Sequence, residues 1–317
     1  MDYAENSTYM SSLPSYNTEA PGEFREEISR ILTFLQDRLG FGLWMFSRIE
    51  GDDWIVVNSS GNGYEVGEGD VFRWADTFCN KMVDGKGPQV APNSNEIECY
   101  KAAADANDMS IGSYIGVPVK HPNGELFGTL CAIDPQPKPD SIVEELSLVD
   151  MFGSVIGRMI EKELKDQSNA RAEESKTADV DELTGLKDRM AWELGIDLEE
   201  TRARSLGSPT VLAGIRVLDA TREKVQETAQ LITQSLHARG EVFRIGSEEF
   251  GVILPDSHLV TTRAVILELR GALYNANIQA AIGLAIRDPK KGLRNALDRV
   301  ASELATDEAN HRRKKTA

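Results

Sequence analysis

The chain has 317 residues, of which 41% are hydrophobic and 27% are charged, and its net charge at pH 7 is −16. This composition is typical of a globular protein, and the length allows two domains that each bury a core of their own. The acidic balance argues against binding to nucleic acid or to an anionic membrane surface.

The cysteines and the hydropathy pattern predict a cytoplasmic protein. Cys79, Cys99 and Cys131 form no Cys-x-x-Cys pair, and their odd number favours a reducing compartment over a disulfide framework. No early apolar run follows a basic segment, so we predict no signal peptide. No run of about 18 apolar residues predicts a membrane span, and the four histidines show no metal-binding spacing.

The first half predicts an antiparallel sheet with flanking helices. Residues 1–20 are polar and predict a flexible tail. Two pairs of apolar runs, each separated by a short turn segment, predict β-hairpins, and the second turn contains Asn-Gly. The predicted elements are a helix over 23–39, strands over 42–49 and 54–59, helices over 72–83 and 98–107, and strands over 113–119 and 125–133.

The last two strands carry a family resemblance. Residues 114–119 (YIGVPV) and 124–132 (GELFGTLCA) are similar to the paired strands of GAF domains, and the helix and strand order fits that family over about residues 22–160. The resemblance implies a sensor domain that binds a small molecule or a partner. We place this domain at residues 21–140.

Aromatic and thiol side chains form the candidate ligand site of the sensor domain. Burial in the core is the alternative for such residues. Some GAF-fold proteins are methionine sulfoxide reductases, so Cys79 and Cys99 are also a candidate redox pair, with structural thiols as the alternative. The candidate ligand-binding residues are Trp74, Phe78, Cys79, Cys99 and Tyr114.

Residues 141–178 predict a long helix that leaves the sensor domain. Leu146, Val149, Ile156 and Ile160 approximate a heptad seam, and the sequence beyond Glu161 is almost entirely polar. We predict that the apolar part packs on the sensor domain and on a second copy, which gives a homodimer. A helix that packs only within its own chain is the alternative.

Two motifs define the second half. Residues 181–189 (DELTGLKDR) resemble the opening of GGDEF domains, the diguanylate cyclase family. Residues 244–250 (RIGSEEF) resemble the family signature Arg-x-Gly-Gly-Asp/Glu-Glu-Phe on a predicted hairpin, with Ser247 in place of the second glycine. The resemblance implies an αβ nucleotidyl-cyclase-like domain, which we place at residues 179–310, followed by a basic tail at 311–317.

The remaining elements of this half follow from the apolar periodicity. They are helices over 190–206 and 221–236, a strand over 209–217, the signature hairpin, a helix over 261–274, a strand over 278–286 and a final helix over 293–309.

Diguanylate cyclases condense two GTP molecules into cyclic di-GMP with the help of a divalent metal, and the site residues implied by the family are incomplete here. The first strand lacks the metal-binding Asp, whose position falls at about Gly214, and the Phe-Lys and Asn-Asp pairs that follow it are missing. The inhibitory Arg-x-x-Asp motif would fall at 237–240 and does not match, and the last helix has no Ala-Lys pair. The vestigial signature comprises Gly246, Ser247, Glu248, Glu249 and Phe250.

We therefore interpret the chain as a cytosolic signalling protein. A GAF sensor acts through the helical stalk on a catalytically inactive GGDEF domain, which works by contact with an unknown protein partner. The carboxylates of the signature are then an exposed acidic turn, and no cofactor is expected. One alternative is a weakly active cyclase in which Glu248 holds Mg²⁺. The other is a thiol redox protein.

Overall fold

The computed structural model describes residues 22–177, 180–236 and 239–316. The tail predicted at residues 1–20 lies outside the described residues, as do the first two positions of the 237–240 segment. Contacts within the chain group the described residues into two units, one built on residues 22–170 and 204–207 and the other on residues 171–203 and 208–316. No helix in the described ranges is long and apolar enough to cross a membrane.

The first unit is a six-stranded antiparallel sheet with helices on both faces. The strands lie in the order β3-β2-β1-β6-β5-β4, and every neighbouring pair is antiparallel. The elements are α1 (Glu23–Leu39), β1 (Leu43–Glu50), β2 (Asp53–Gly61), β3 (Val71–Arg73), α2 (Phe78–Val83), β4 (Val90–Ala91), α3 (Glu98–Ala106), β5 (Ser113–Lys120), β6 (Leu126–Asp134) and α4 (Leu146–Thr177).

The helix predicted over 72–83 is partly wrong. Its first residues form the edge strand β3, and a short 3₁₀ turn at Trp74–Asp76 follows. Helix α2 begins only at Phe78, because Thr77 caps it: the Asn80 N–H donates to Thr77 Oγ1 at 3.0 Å. The apolar residues at 72–79 therefore belong partly to a strand and partly to a helix, and apolar periodicity alone does not show where one ends and the other begins.

Helix α4 packs its apolar seam against the sheet of its own unit. Val149, Ile156 and Ile160 are fully buried in the core that α4 forms with α1 and the sheet. Gly153 and Gly157 bring the helix onto β5, since a Cβ at Gly157 would lie 2.4 Å from the Lys120 carbonyl oxygen. The predicted packing on the sensor is confirmed. The apolar side chains that were expected to contact a second copy are buried within their own unit. The homodimer through residues 141–178 stays a prediction.

The second unit has the βαββαβ arrangement. Its four strands lie in the order β10-β7-β9-β8 and are antiparallel throughout, with buried clusters on both faces. The elements are α5 (Arg189–Leu206), β7 (Thr210–Val217), α6 (Arg222–Leu236), β8 (Glu241–Arg244), β9 (Glu249–Pro255), α7 (Leu259–Asn275), β10 (Ala280–Ile286) and α8 (Gly292–Thr316).

Helix α8 covers the free edge of this sheet. Asp307 and Glu303 accept hydrogen bonds at 2.9 Å from the backbone N–H groups of Ile282 and Leu284 on β10. These bonds satisfy donors that an exposed edge strand would offer to another chain. The helix also runs to Thr316, so residues 311–316 are helical rather than a separate tail, and Ala317 lies outside the described residues.

The predicted fold class is confirmed. The described residues form two antiparallel sheets with flanking helices, and the long helix α4 lies between them in sequence.

Candidate functional site

The signature segment forms the predicted hairpin between β8 and β9. The Ile245 N–H donates to the Glu249 carbonyl at 2.9 Å, which closes the turn and leaves Ser247 and Glu248 exposed at its tip. The backbone at Ser247 is not in the left-handed region, so a serine is accommodated there without conformational strain. Phe250 is fully buried beneath the hairpin.

Glu249 is bound to an arginine that the sequence analysis did not single out. Arg216 on β7 lies opposite Glu249 in the strand register, and its Nε donates to Glu249 Oε1 at 2.6 Å. The same guanidinium donates to Glu308 Oε2 on α8 at 2.8 Å. Glu249 is only 8% exposed. The interpretation of both glutamates as an exposed turn is therefore wrong for Glu249 and holds for Glu248.

Glu249 and Glu308 stabilise the charged form of Arg216. Burial alone lowers the pKa of Arg216, but the charges and hydrogen bonds of Glu249 and Glu308 outweigh burial and raise it. The site thus contains one permanent cation between two carboxylates. This triad of Arg216, Glu249 and Glu308 links β7, β9 and α8.

The strand register shows which residues surround the predicted metal position. Gly214 lies opposite Gly251, two residues before the point where β7 faces the signature carboxylate. The side chain at that point is Arg216, which donates hydrogen bonds and offers no metal ligand. The nearest carboxylate downstream, Asp219, forms an ion pair with Lys224 and accepts from the Gln279 N–H at 3.0 Å. Among the described residues, no cluster of three or more His, Cys, Asp or Glu side chains is arranged to hold a metal ion.

The two sequence motifs meet through Arg244, the first residue of the signature. Arg244 NH1 donates to Asp181 Oδ2 at 2.7 Å, and NH2 donates to the Ser247 carbonyl at 3.0 Å. The Arg244 N–H donates to the Lys187 carbonyl at 2.8 Å, which aligns the opening motif with β8. Partial burial raises the pKa of Asp181, but hydrogen bonds from Thr184 and Arg244 outweigh it and hold that pKa below its usual value.

The first unit contains a cavity of about 50 Å³ between the sheet and the α2 region. It is mostly apolar and has room for a few water molecules or a compact ligand. Phe78, Cys79 and Tyr114, three of the five candidate residues, line it. Trp74 lies in the 3₁₀ turn and Cys99 lies on α3, where its thiol donates to the Lys86 carbonyl at 3.4 Å; neither is among the lining residues.

The thiol that neighbours Cys79 is that of Cys131, which also lines the cavity. The Tyr114 hydroxyl donates to Cys79 Sγ at 3.5 Å. Burial raises the pKa of Cys79, but hydrogen bonds with Cys131, Thr129 and Tyr114 outweigh it and leave that pKa lowered. The bond to Cys79, together with burial, raises the pKa of Cys131. The pairing of Cys79 with Cys99 stays a prediction, and the packing of α2 against the sheet brings Cys79 next to Cys131 as a second candidate pair.

Gly116 makes this arrangement possible. It lies directly opposite Cys131 in the register of β5 and β6. A Cβ at this position would come within 2.1 Å of the Tyr114 hydroxyl oxygen and 3.2 Å of the Cys131 Cβ. The missing side chain therefore leaves the space in which Tyr114 turns towards Cys79.

Comparison with solved structures finds similarity both to GGDEF domains and to GAF domains. The chain is similar to the GGDEF domain of DgcB from Caulobacter crescentus in complex with c-di-GMP (18% identity, 41% of this chain, 90% of that chain, TM-score 0.38). It is also similar to the diguanylate cyclase SiaD from Pseudomonas aeruginosa in complex with its activator SiaC (19%, 54%, 75%, 0.41). A third is the GAF domain from Acinetobacter phosphoenolpyruvate-protein phosphotransferase (12%, 48%, 90%, 0.38).

Comparison of the amino-acid sequence matches the GAF domain family model and no curated protein. The family model for the GAF domain matches residues 24–160, which contain the whole six-stranded sheet, the cavity and the first part of α4. Residues 24–160 of this chain, less than half of its length, are therefore similar to the GAF domain family.

Proposed function

We propose that this chain is a signalling protein in which the GAF domain senses a compact ligand and the second unit is a GGDEF-like output domain without diguanylate cyclase activity. The observation that carries the proposal is the ion pair between Arg216 and the signature carboxylate Glu249. The order of the two sequence motifs and their contact through Arg244 support the GGDEF-like assignment.

The residues around the signature do not fit a divalent cation. Mg²⁺ and Ca²⁺ are held by oxygen ligands, usually from more than one carboxylate or from carboxylate and phosphate together. Arg216 already neutralises Glu249, and it would repel a metal ion at the same place. Glu248 is left as an isolated exposed carboxylate on the turn. The signature segment therefore lacks the ligand set for metal-assisted catalysis.

The retained contacts support a structural role for the signature. Phe250 is buried, and Arg244 joins the hairpin to the opening motif through Asp181. These interactions preserve the shape of the hairpin while its tip stays exposed. Such a surface suits recognition by a protein partner, which is the output that we propose, in a cytoplasmic setting.

The sensor half provides a route for a signal within its own unit. The cavity lies on the sheet face that carries α2 and α3, whereas α4 packs on the opposite face. A ligand that reshapes the cavity would bias the sheet and the packing of α4. The polar continuation of α4 then transmits the change, and dimer formation through residues 141–178 belongs to this proposal.

Nucleotide binding tests the proposal. Purified protein is heated with and without GTP and Mg²⁺, because a ligand that binds only the folded state raises the melting temperature. We expect an unchanged melting temperature at millimolar GTP. A saturable rise that disappears on Glu248→Ala substitution would contradict the proposal and favour the weakly active cyclase.

Thiol chemistry is the second candidate, because Cys79 and Cys131 line one cavity and neighbour each other. A small hydroperoxide would oxidise the two thiols to a disulfide, releasing water and the corresponding alcohol. Peroxide treatment followed by mass spectrometry should then show a Cys79–Cys131 disulfide that Cys99→Ser leaves intact. Oxidation of Cys99 alone would remove this candidate.

A further inference from the structure

Helix α7 has a buried face and an exposed apolar face. The inner face contributes Thr262, Ile266, Leu269 and Leu273 to the core. On the outer face Val260, Leu267 and Tyr274 are 80%, 71% and 83% exposed, which is high for side chains of this size. Two small exposed residues, Ala264 and Gly271, lie between them. We call this row the α7 seam; it comprises Val260, Ala264, Leu267, Gly271 and Tyr274.

The α7 seam has the spacing of a coiled coil. Its members follow one another at intervals of four, three, four and three residues, which is the alternation of a and d positions in a heptad repeat. Ala264 and Gly271 take the a positions, and a Cβ built on Gly271 would meet no atom within 4 Å. Small residues at alternate layers let a second helix approach closely. Helix α4, where the sequence predicts such a seam, has buried its own.

Charges beside the α7 seam indicate what covers it. Arg263 precedes Ala264 and takes a g position, while Glu268 follows Leu267 and takes an e position, five residues further on. Both side chains are exposed, and neither has an ion-pair partner within the described residues. In a parallel helix pair, a g residue of one helix meets the e residue five positions later on the other. Arg263 of each copy would therefore meet Glu268 of the other.

The opposite orientation lacks this match. In an antiparallel pair, g positions meet g positions. Both g positions of α7 are arginines, Arg263 and Arg270, and Arg270 is already bound to Asp307 at 2.7 Å. Charge complementarity thus selects one orientation as well as one partner.

We infer that the α7 helices of two copies of this chain pair in parallel along the α7 seam, with Leu267 against Leu267 at the two-fold axis and Arg263 against Glu268 on both sides. The seam spans about two heptads, so a pair of such helices buries less area than a standard protein interface. The association is accordingly weak and depends on concentration. It needs neither the absence of cyclase activity nor dimerisation through α4.

Disulfide trapping tests the geometry in the full chain. Leu267→Cys and Thr261→Cys are each made in a Cys99→Ser background; Thr261 is exposed on the same helix at an e position, where the two copies of the side chain lie beside the seam and do not face each other. Mild oxidation should give a covalent dimer with Leu267→Cys and little with Thr261→Cys. Equal trapping at the two positions, or none at either, would overturn the inference.

A charge exchange tests the orientation. Arg263→Glu and Glu268→Arg each place like charges together twice per dimer, so each should weaken dimer association about fivefold in analytical ultracentrifugation. The double variant R263E/E268R recreates both pairs with reversed sign and should restore the original association. A double variant as weak as the single ones, or single variants without effect, would contradict parallel pairing. A dimer that persists unchanged in all three would be formed elsewhere in the chain.

Discussion

At the scale of single residues, Arg216 sets the charge balance of the signature site. Its guanidinium lies between Glu249 and Glu308, whose side chains are 11% and 16% exposed. Arg216→Ala leaves Glu249 without a cation in a largely desolvated place, and it leaves Glu308 with only the exposed Arg312. We predict that urea unfolding will show a loss of about 3 kcal/mol in unfolding free energy, because an unpaired buried charge is costly.

Arg312→Ala is the matched control for this prediction. Arg312 also pairs with Glu308, but its side chain is 79% exposed. An exposed ion pair contributes up to about 1 kcal/mol, so this variant should lose far less stability than Arg216→Ala. Equal losses would mean that Arg216 is an ordinary surface residue.

Asp181 makes the contact between the two motifs depend on pH. Its folded-state pKa is lowered, so its contribution to stability is present above the unfolded-state pKa of about 4 and is lost as the pH falls through the folded-state value. We predict that Asp181→Asn destabilises the protein at pH 7 and that the difference from the parent shrinks below about pH 4. Unfolding at several pH values measures this. A difference that grows in acid would contradict the sign of the shift.

At the scale of elements, the contact between α4 and β5 depends on the absence of side chains. A methyl group at Gly157 would collide with the Lys120 carbonyl oxygen, which belongs to backbone and cannot rotate away. We predict that Gly157→Ala lowers the unfolding free energy by about 2 kcal/mol, as overpacking does, despite the higher helix propensity of alanine. Chemical denaturation gives the value.

Ser154→Ala provides the reference on the same helix. Ser154 is exposed, so alanine should leave stability unchanged or slightly raise it. If Gly157→Ala behaves in the same way, α4 is not held against the sheet as closely as we describe.

The elements also show where sequence patterns reach their limit. Helix α1 and both sensor hairpins follow directly from apolar spacing and turn residues, because those signals are local. The apolar seam of α4 is also visible in the sequence, but the same spacing allows a helix to pack on a sheet or on a second helix. Only the structure shows that Val149, Ile156 and Ile160 face the sheet. The seam of α7 is hidden in the sequence pattern because the outer and inner faces of this helix are both apolar.

At the scale of the whole molecule, motif order was sufficient to place a GAF domain before a second αβ domain, and the site residues were harder to predict. Phe78, Cys79 and Tyr114 line the cavity as expected. Cys131 and Arg216 were missed because their roles depend on strand register: one lies opposite Gly116 and the other opposite Glu249. Strand register places residues that are far apart in sequence opposite each other, and one amino-acid sequence alone does not reveal which register the strands adopt.

The most direct test of the central claim is an assay of the purified chain with GTP and Mg²⁺ for cyclic di-GMP, beside an active diguanylate cyclase as a positive control. Because Arg216 lies opposite the signature carboxylate Glu249 and forms an ion pair with it, we predict no product above the level of a control without protein. Sustained formation of cyclic di-GMP that Glu248→Ala abolishes would contradict the claim, and would show that the exposed glutamate of the hairpin still supports catalysis.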